Sequence, residues 1–180
     1  MEHYKTLFLM ISLAVLGLFL AGCGAYDEIV LDSPDKVVNL PVYASMWNRS
    51  SAGVEVVLGG VGNYTNITHL REGEINGFNY TDSVLTVLYP GSYKIDWFMS
   101  FSGGNNNQYG MLVARNYNQN ISRPCYVQRD TGAGSKGVVS ASCILMLNAS
   151  DTLSFLIEDE ANPLANPTIY SIGVSVLRVD

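Results

Sequence analysis

A chain of 180 residues has room for one ordinary domain and a short appendage. Its 16 acidic and 10 basic residues give a formal net charge of −6, and loss of an N-terminal leader would remove Glu2 and Lys5 together and leave it acidic. Nucleic acid is therefore not an expected partner, since phosphate binding needs clustered Lys and Arg.

Residues 1–22 read as a signal peptide. Lys5 is the basic residue ahead of an apolar run, residues 7–21, interrupted only by Ser12 and Gly17. The run ends in Leu20-Ala21-Gly22-Cys23, the small residues of a cleavage region. That tetrad resembles the lipobox of bacterial lipoproteins. The resemblance implies cleavage before Cys23, lipidation of Cys23, and a lipid-anchored protein whose domain is periplasmic or extracellular. An uncleaved anchor is the alternative, because residues 6–26 carry no charge and are about long enough to cross a bilayer. Residues 23–36 then form an acidic tether. Asp27, Glu28, Asp32 and Asp35 lack the regular spacing of a cation-binding loop. Extended, residues 24–36 reach roughly 45 Å.

Residues 37–180 alternate short apolar runs with turn clusters and show no helical period, the pattern of an all-β domain. Strands are expected at 38–47, 54–58, 63–70, 84–88, 92–102, 109–115, 124–129, 138–147, 153–157 and 168–179. The clearest follows the Pro90-Gly91 turn. There Tyr93, Ile95, Trp97, Met99 and Phe101 occupy alternate positions and predict a strand with one buried face at the centre of the core. About ten antiparallel strands at this spacing predict a sandwich or jelly roll.

Several motifs point further. Pro90-Gly91-Ser92-Tyr93 precedes the aromatic strand. Ser100-Phe101-Ser102-Gly103-Gly104-Asn105-Asn106 and Val113-Ala114-Arg115-Asn116 follow. Then come Ile144-Leu145-Met146-Leu147-Asn148-Ala149-Ser150-Asp151-Thr152-Leu153-Ser154 and the closing Val174-Ser175-Val176-Leu177-Arg178-Val179. In this order they resemble a C1q/TNF-like jelly-roll domain of the kind found in bacterial surface proteins and bacteriophage fibre tips. Ser150 stands where that family usually has Gly. The resemblance implies a ten-stranded jelly roll, a homotrimer, and a protein or glycan ligand. It implies no catalytic residues and no cofactor.

Enzymatic alternatives find little support. His69 is the one histidine after the leader, and it sits between Thr68 and Leu70 in a polar stretch rather than beside an acid, as a Ser-His-Asp triad requires. One His and two remaining Cys do not make a zinc set. Glu158, Asp159 and Glu160 could supply the paired carboxylates of a carbohydrate-active enzyme; adjacent acids at a strand end read more simply as a solvated cap. Gly132 and Gly134 open no helix and so form no phosphate loop. Asn48, Asn63, Asn66, Asn79, Asn120 and Asn148 each lie in an Asn-x-Ser/Thr sequon.

Two expectations concern tertiary structure. If residues 130–137 close a hairpin centred on Gly134, Cys125 and Cys143 face each other, and export would favour a disulfide between them. Several strands are apolar on both parities, which calls for a layer beyond the sandwich. Tyr43, Trp47, Ile144 and Met146 are the expected trimer-interface residues. The leader gives the first test: Cys23→Ser should leave the protein unprocessed or release it from membranes, read by fractionation and by mass spectrometry of the mature N-terminus.

Overall fold

The computed structural model describes residues 41–118, 123–132, 134–160 and 164–180. The leader, Cys23, the tether and the sequon at Asn120 lie outside the described residues. Among these there are eleven strands, one more than expected. They are β1 (Tyr43–Glu55), β2 (Thr65–Asn66), β3 (Arg71–Asn76), β4 (Phe78–Thr81), β5 (Val84–Val87), β6 (Gly91–Ser102), β7 (Gln108–Arg115), β8 (Tyr126–Asp130), β9 (Gly137–Leu147), β10 (Thr152–Asp159) and β11 (Thr168–Arg178). A single 3-10 turn, Arg123–Cys125, leads into β8.

The strands form two antiparallel sheets. One has the order β3-β1-β11-β6-β9; the other has the order β4-β5-β10-β7-β8, with β2 paired to β10. The chain passes repeatedly from one sheet to the other, which is the jelly-roll pattern. The middle strand of the first sheet is β11, flanked by β1 and β6. The aromatic strand β6 is thus one place from the centre, yet its inward side chains are the best-buried set: Tyr93, Ile95, Trp97, Met99 and Phe101 all lie in the core. Each of its three inward aromatics meets a ring from the opposite sheet edge-on. Tyr93 packs on Phe78 at 5.5 Å between centroids, Trp97 on Phe155 at 5.8 Å, and Phe101 on Tyr109 at 5.5 Å. Their polar tips are satisfied: the Tyr93 hydroxyl donates to Tyr89 O, Trp97 Nε1–H to Cys125 O, and the Tyr109 hydroxyl to Ala165 O.

The structure corrects several expected boundaries. β1 is one strand of 13 residues through Glu55, where two were expected, because residues 50–53 loop out opposite Tyr170 while pairing resumes at Val54↔Ile169. Only Thr65–Asn66 of the expected strand at 63–70 pairs. β3 and β4, with Glu72, Glu74 and Asn79 exposed, lack the apolar alternation that would have revealed them. In β11 the extra residue Tyr170 shifts the register against β6, so Ile169 and Ile172 both face the core despite their odd spacing. The turn after β9 places Ser150 at φ 70°. This left-handed position explains why Gly suits it.

The segment between β8 and β9 is not a hairpin. β8 pairs with β7, and β9 pairs with β6 in the other sheet. Cys125 and Cys143 are nonetheless joined by a disulfide, with Cα atoms 5.2 Å apart. The bond ties the two sheets together at the edge where β8 and β9 lie, so it is a clasp across the sandwich rather than a rung within one sheet. It closes a loop of sequence separation 18. The Cys125→Ala/Cys143→Ala double variant should lose about 3 kcal/mol of unfolding free energy, measured by denaturant titration.

Candidate functional site

The two sheets differ in what covers their outer faces. On the second sheet Leu112, Ala114 and Leu156 point away from the main core, and Tyr64 and Tyr126 fold over them. Tyr64 and Tyr126 therefore cover this apolar patch from within the same chain.

Glu158 belongs to that small second core. It lies on the same side of β10 as Leu156, opposite Gly110, and is buried. A Cβ at residue 110 would stand 2.7 Å from Glu158 Oε1 and 2.8 Å from the Tyr126 hydroxyl, so glycine is what leaves room for both. Burial raises the Glu158 carboxyl above its ordinary range; the hydrogen bond from Tyr64 opposes this and the charge of Glu160 adds to it. Burial, reinforced by these acids, also raises both tyrosines, with Tyr126 pushed up to about 12. Glu160 accepts from the Tyr126 hydroxyl at 3.2 Å and from Gln128 Nε2 at 2.8 Å. Asp159 faces inward, fully buried, where it accepts from Asn107 Nδ2 and from Ala165 N. The solvated cap expected of these three acids is thus corrected. Two are buried, on opposite sides of one strand, because a strand sends successive side chains to opposite faces. Glu158 is packed under tyrosines rather than lining an open cleft.

The described residues leave the outer face of the first sheet uncovered. Register places its side chains in transverse rows. Tyr43, Leu177, Lys94 and Ile144 form one; Ser45, Ser175, Asp96 and Ser142 the next; Trp47, Gly173, Phe98 and Ser140 the third; Arg49, Ser171, Ser100 and Val138 the fourth. Trp47 is 46% exposed, Ile144 62% and Met146 65%, and Phe98, Val138 and Leu177 are also exposed. Tyr43 is half-buried between its neighbours. The four residues expected at an interface therefore share one face, and Phe98, Val138 and Leu177 extend it. Phe98 lies on the otherwise polar parity of β6, so alternation alone gives no signal for it. Between Trp47 and Phe98 lies Gly173, where a Cβ would come within 2.6 Å of the Phe98 ring. The glycine forms the floor of a groove of about 600 Å³ that also takes in the serine row. Asp96 bonds Lys94 at 2.9 Å, and its carboxyl is held below the usual range by Ser142 and then by Lys94.

No protein-family model and no curated protein sequence matches the chain. Solved structures do match in shape. Eiger TNF from S. frugiperda superposes with a TM-score of 0.58 at 11% identity, over 78% of this chain and 94% of that one. A murine APRIL structure gives 0.52 at 14% identity, over 76% and 99%. The globular domain of zebrafish complement 1qA gives 0.52 at 13% identity, over 78% and 98%. The fold is a C1q/TNF-like jelly roll. At these identities the likeness is one of fold, and the C1q/TNF-like scaffold reaches it with its own side chains.

His69 is exposed, and among the described residues no cluster of His, Cys, Asp or Glu could hold a metal. Glu158 supplies a pH test. Its folded value lies above the unfolded one of about 4.3, so the native state binds the extra proton between them and stability falls as pH rises through that window. Glu158→Gln should flatten this slope and raise stability at pH 7, read from denaturation midpoints across pH 4 to 8.

Proposed function

We propose that the protein is an exported, membrane-tethered surface module that assembles as a homotrimer through the outer face of the β3-β1-β11-β6-β9 sheet and binds a protein or glycan ligand. One observation carries the reading. Among the described residues, Tyr64 and Tyr126 cover the apolar patch on one outer face, whereas the other is uncovered, with Trp47, Phe98, Val138, Ile144, Met146 and Leu177 exposed. Apolar area on this scale marks an interaction surface, and aromatic and Met side chains suit the centre of an interface. The serine row and the Lys94–Asp96 pair fix register rather than supply most of the affinity, since exposed ion pairs contribute little. The similarity to TNF and C1q folds supports the same assignment. The module has residues 1–22 as its signal peptide, lipidation at Cys23, and residues 23–36 as the tether that holds domain 37–180 clear of the membrane.

A second reading is a phage-encoded virion or receptor-binding protein carrying the same domain at its tip. The Leu20-Ala21-Gly22-Cys23 tetrad favours the anchored protein, and a lipidated Cys23 separates the two.

Light scattering on residues 37–180 tests the assembly. The expected mass is three chains at micromolar concentration. Ile144→Asp and Trp47→Glu, both on exposed positions, should each give a folded monomer; a wild-type monomer would overturn the proposal.

A further inference from the structure

The described cations are not placed evenly. Lys94, Arg115 and Arg178 each stand in an ion pair with a carboxylate, and Lys136 and Arg129 lie over the Tyr170 and Phe101 rings. Arg49 and Arg71 have no carboxylate partner among the described residues, although the chain carries a net charge of −6. Both line one recess of about 520 Å³ together with His69, Asn48 and Ser50, and no carboxylate shares its wall.

Topology makes the recess. Pairing of β1 with β3 ends at Trp47↔Arg71, where the preceding residues turn away to the other sheet: Leu70 N donates to Ser83 Oγ. Residues 50–53 loop out of β1 at the same level. The sheet edge is thereby left uncovered over Asn48 and Arg49, with Leu70 and Val54 lining the recess. Arg71 is also held over the Trp47 ring, 5.8 Å from its centroid.

We propose that this recess binds an acidic sugar, the carboxylate or sulfate of the ligand lying between Arg49 and Arg71. A guanidinium presents a planar fork of donors that matches these oxyanions. Two cations without carboxylate partners attract such a group without breaking an existing ion pair. Asn48, Ser50 and His69 supply hydrogen-bonding groups for ring hydroxyls. The wall is polar rather than apolar, which favours a saccharide over a peptide side chain. The inference deepens the ligand-binding half of the function proposed above and rests on it; it does not depend on the trimer.

The test is calorimetry on the full chain, produced without glycosylation so that Asn48 is bare. The probes are sialyllactose and a sulfated heparin-derived disaccharide, with lactose as neutral control and an acidic hexapeptide as competitor class. An acidic sugar should bind and lactose should not. Arg49→Ala and Arg71→Ala should each weaken binding about tenfold or more, the loss of a charge-assisted hydrogen bond. Arg71→Lys, which keeps the charge and loses the fork, should also weaken it. Equal binding of lactose, binding unchanged in the arginine variants, binding of the peptide alone, or binding of none of the probes would overturn the proposal. Light scattering on the same samples separates the readings: a monomer that still binds the acidic sugar refutes the assembly and leaves this site standing.

Discussion

Three aromatic contacts across the interior set the geometry on which the rest of this molecule depends. β6 offers Tyr93, Trp97 and Phe101 at intervals of four residues, and each meets one ring of the opposite sheet edge-on: Phe78 from β4, Phe155 from β10, Tyr109 from β7. Large rings in the core fix the separation of two sheets, and edge-to-face contact fixes their lateral register as well. Once β6 is held, β11 and β9 are placed by pairing on either side of it, and β1 follows from β11. The face opposite to these aromatics is then necessarily the outer one.

The consequence is a division of labour between two outer surfaces. In the second sheet the long β1–β3 connection pairs β2 along β10, where Ile67 N donates to Phe155 O, and this sets Tyr64 against Leu112, Ala114 and Leu156. That cover buries Glu158, whose charge is costly there and is accommodated by Tyr64. The first sheet receives no such cover from the described residues. Its apolar rows remain exposed, and the same connection, by leaving the β3-side edge of β1 unpaired beyond Trp47, opens the basic recess beside them. One connection thus both brings Tyr64 to the second sheet and opens the recess.

Bulges matter as much as strands in this arrangement. The looped-out residues 50–53 and the extra Tyr170 face one another across the β1–β11 pair. Together they let the sheet bend while Ile169 and Ile172 stay in the core. At the opposite edge the Cys125–Cys143 bond performs the closing role that no ladder performs between β8 and β9.

The sequence by itself determined the fold class, because period-two alternation of apolar residues is a local property: in β6 and β9 inside and outside were legible residue by residue, down to Cys143, Leu145 and Leu147 facing in and Ile144 and Met146 facing out. The order of its turn motifs carried the resemblance to the C1q/TNF-like jelly roll, and the placing of Tyr43 and Trp47 on the parity opposite Val42, Ala44 and Met46 was equally readable. The tertiary structure alone decided which strands are neighbours. Pairing is a long-range matter, and a loop such as residues 131–136 looks the same whether it closes a hairpin or crosses between sheets; here it crosses, and the disulfide spans the sandwich. It alone decided the fate of the acids at 158–160, since burial depends on what a distant segment brings, and residues 56–66 bring Tyr64. It alone gathered Arg49, His69 and Arg71, which lie 20 and 2 positions apart in the chain, because a sheet edge collects residues by register and not by sequence.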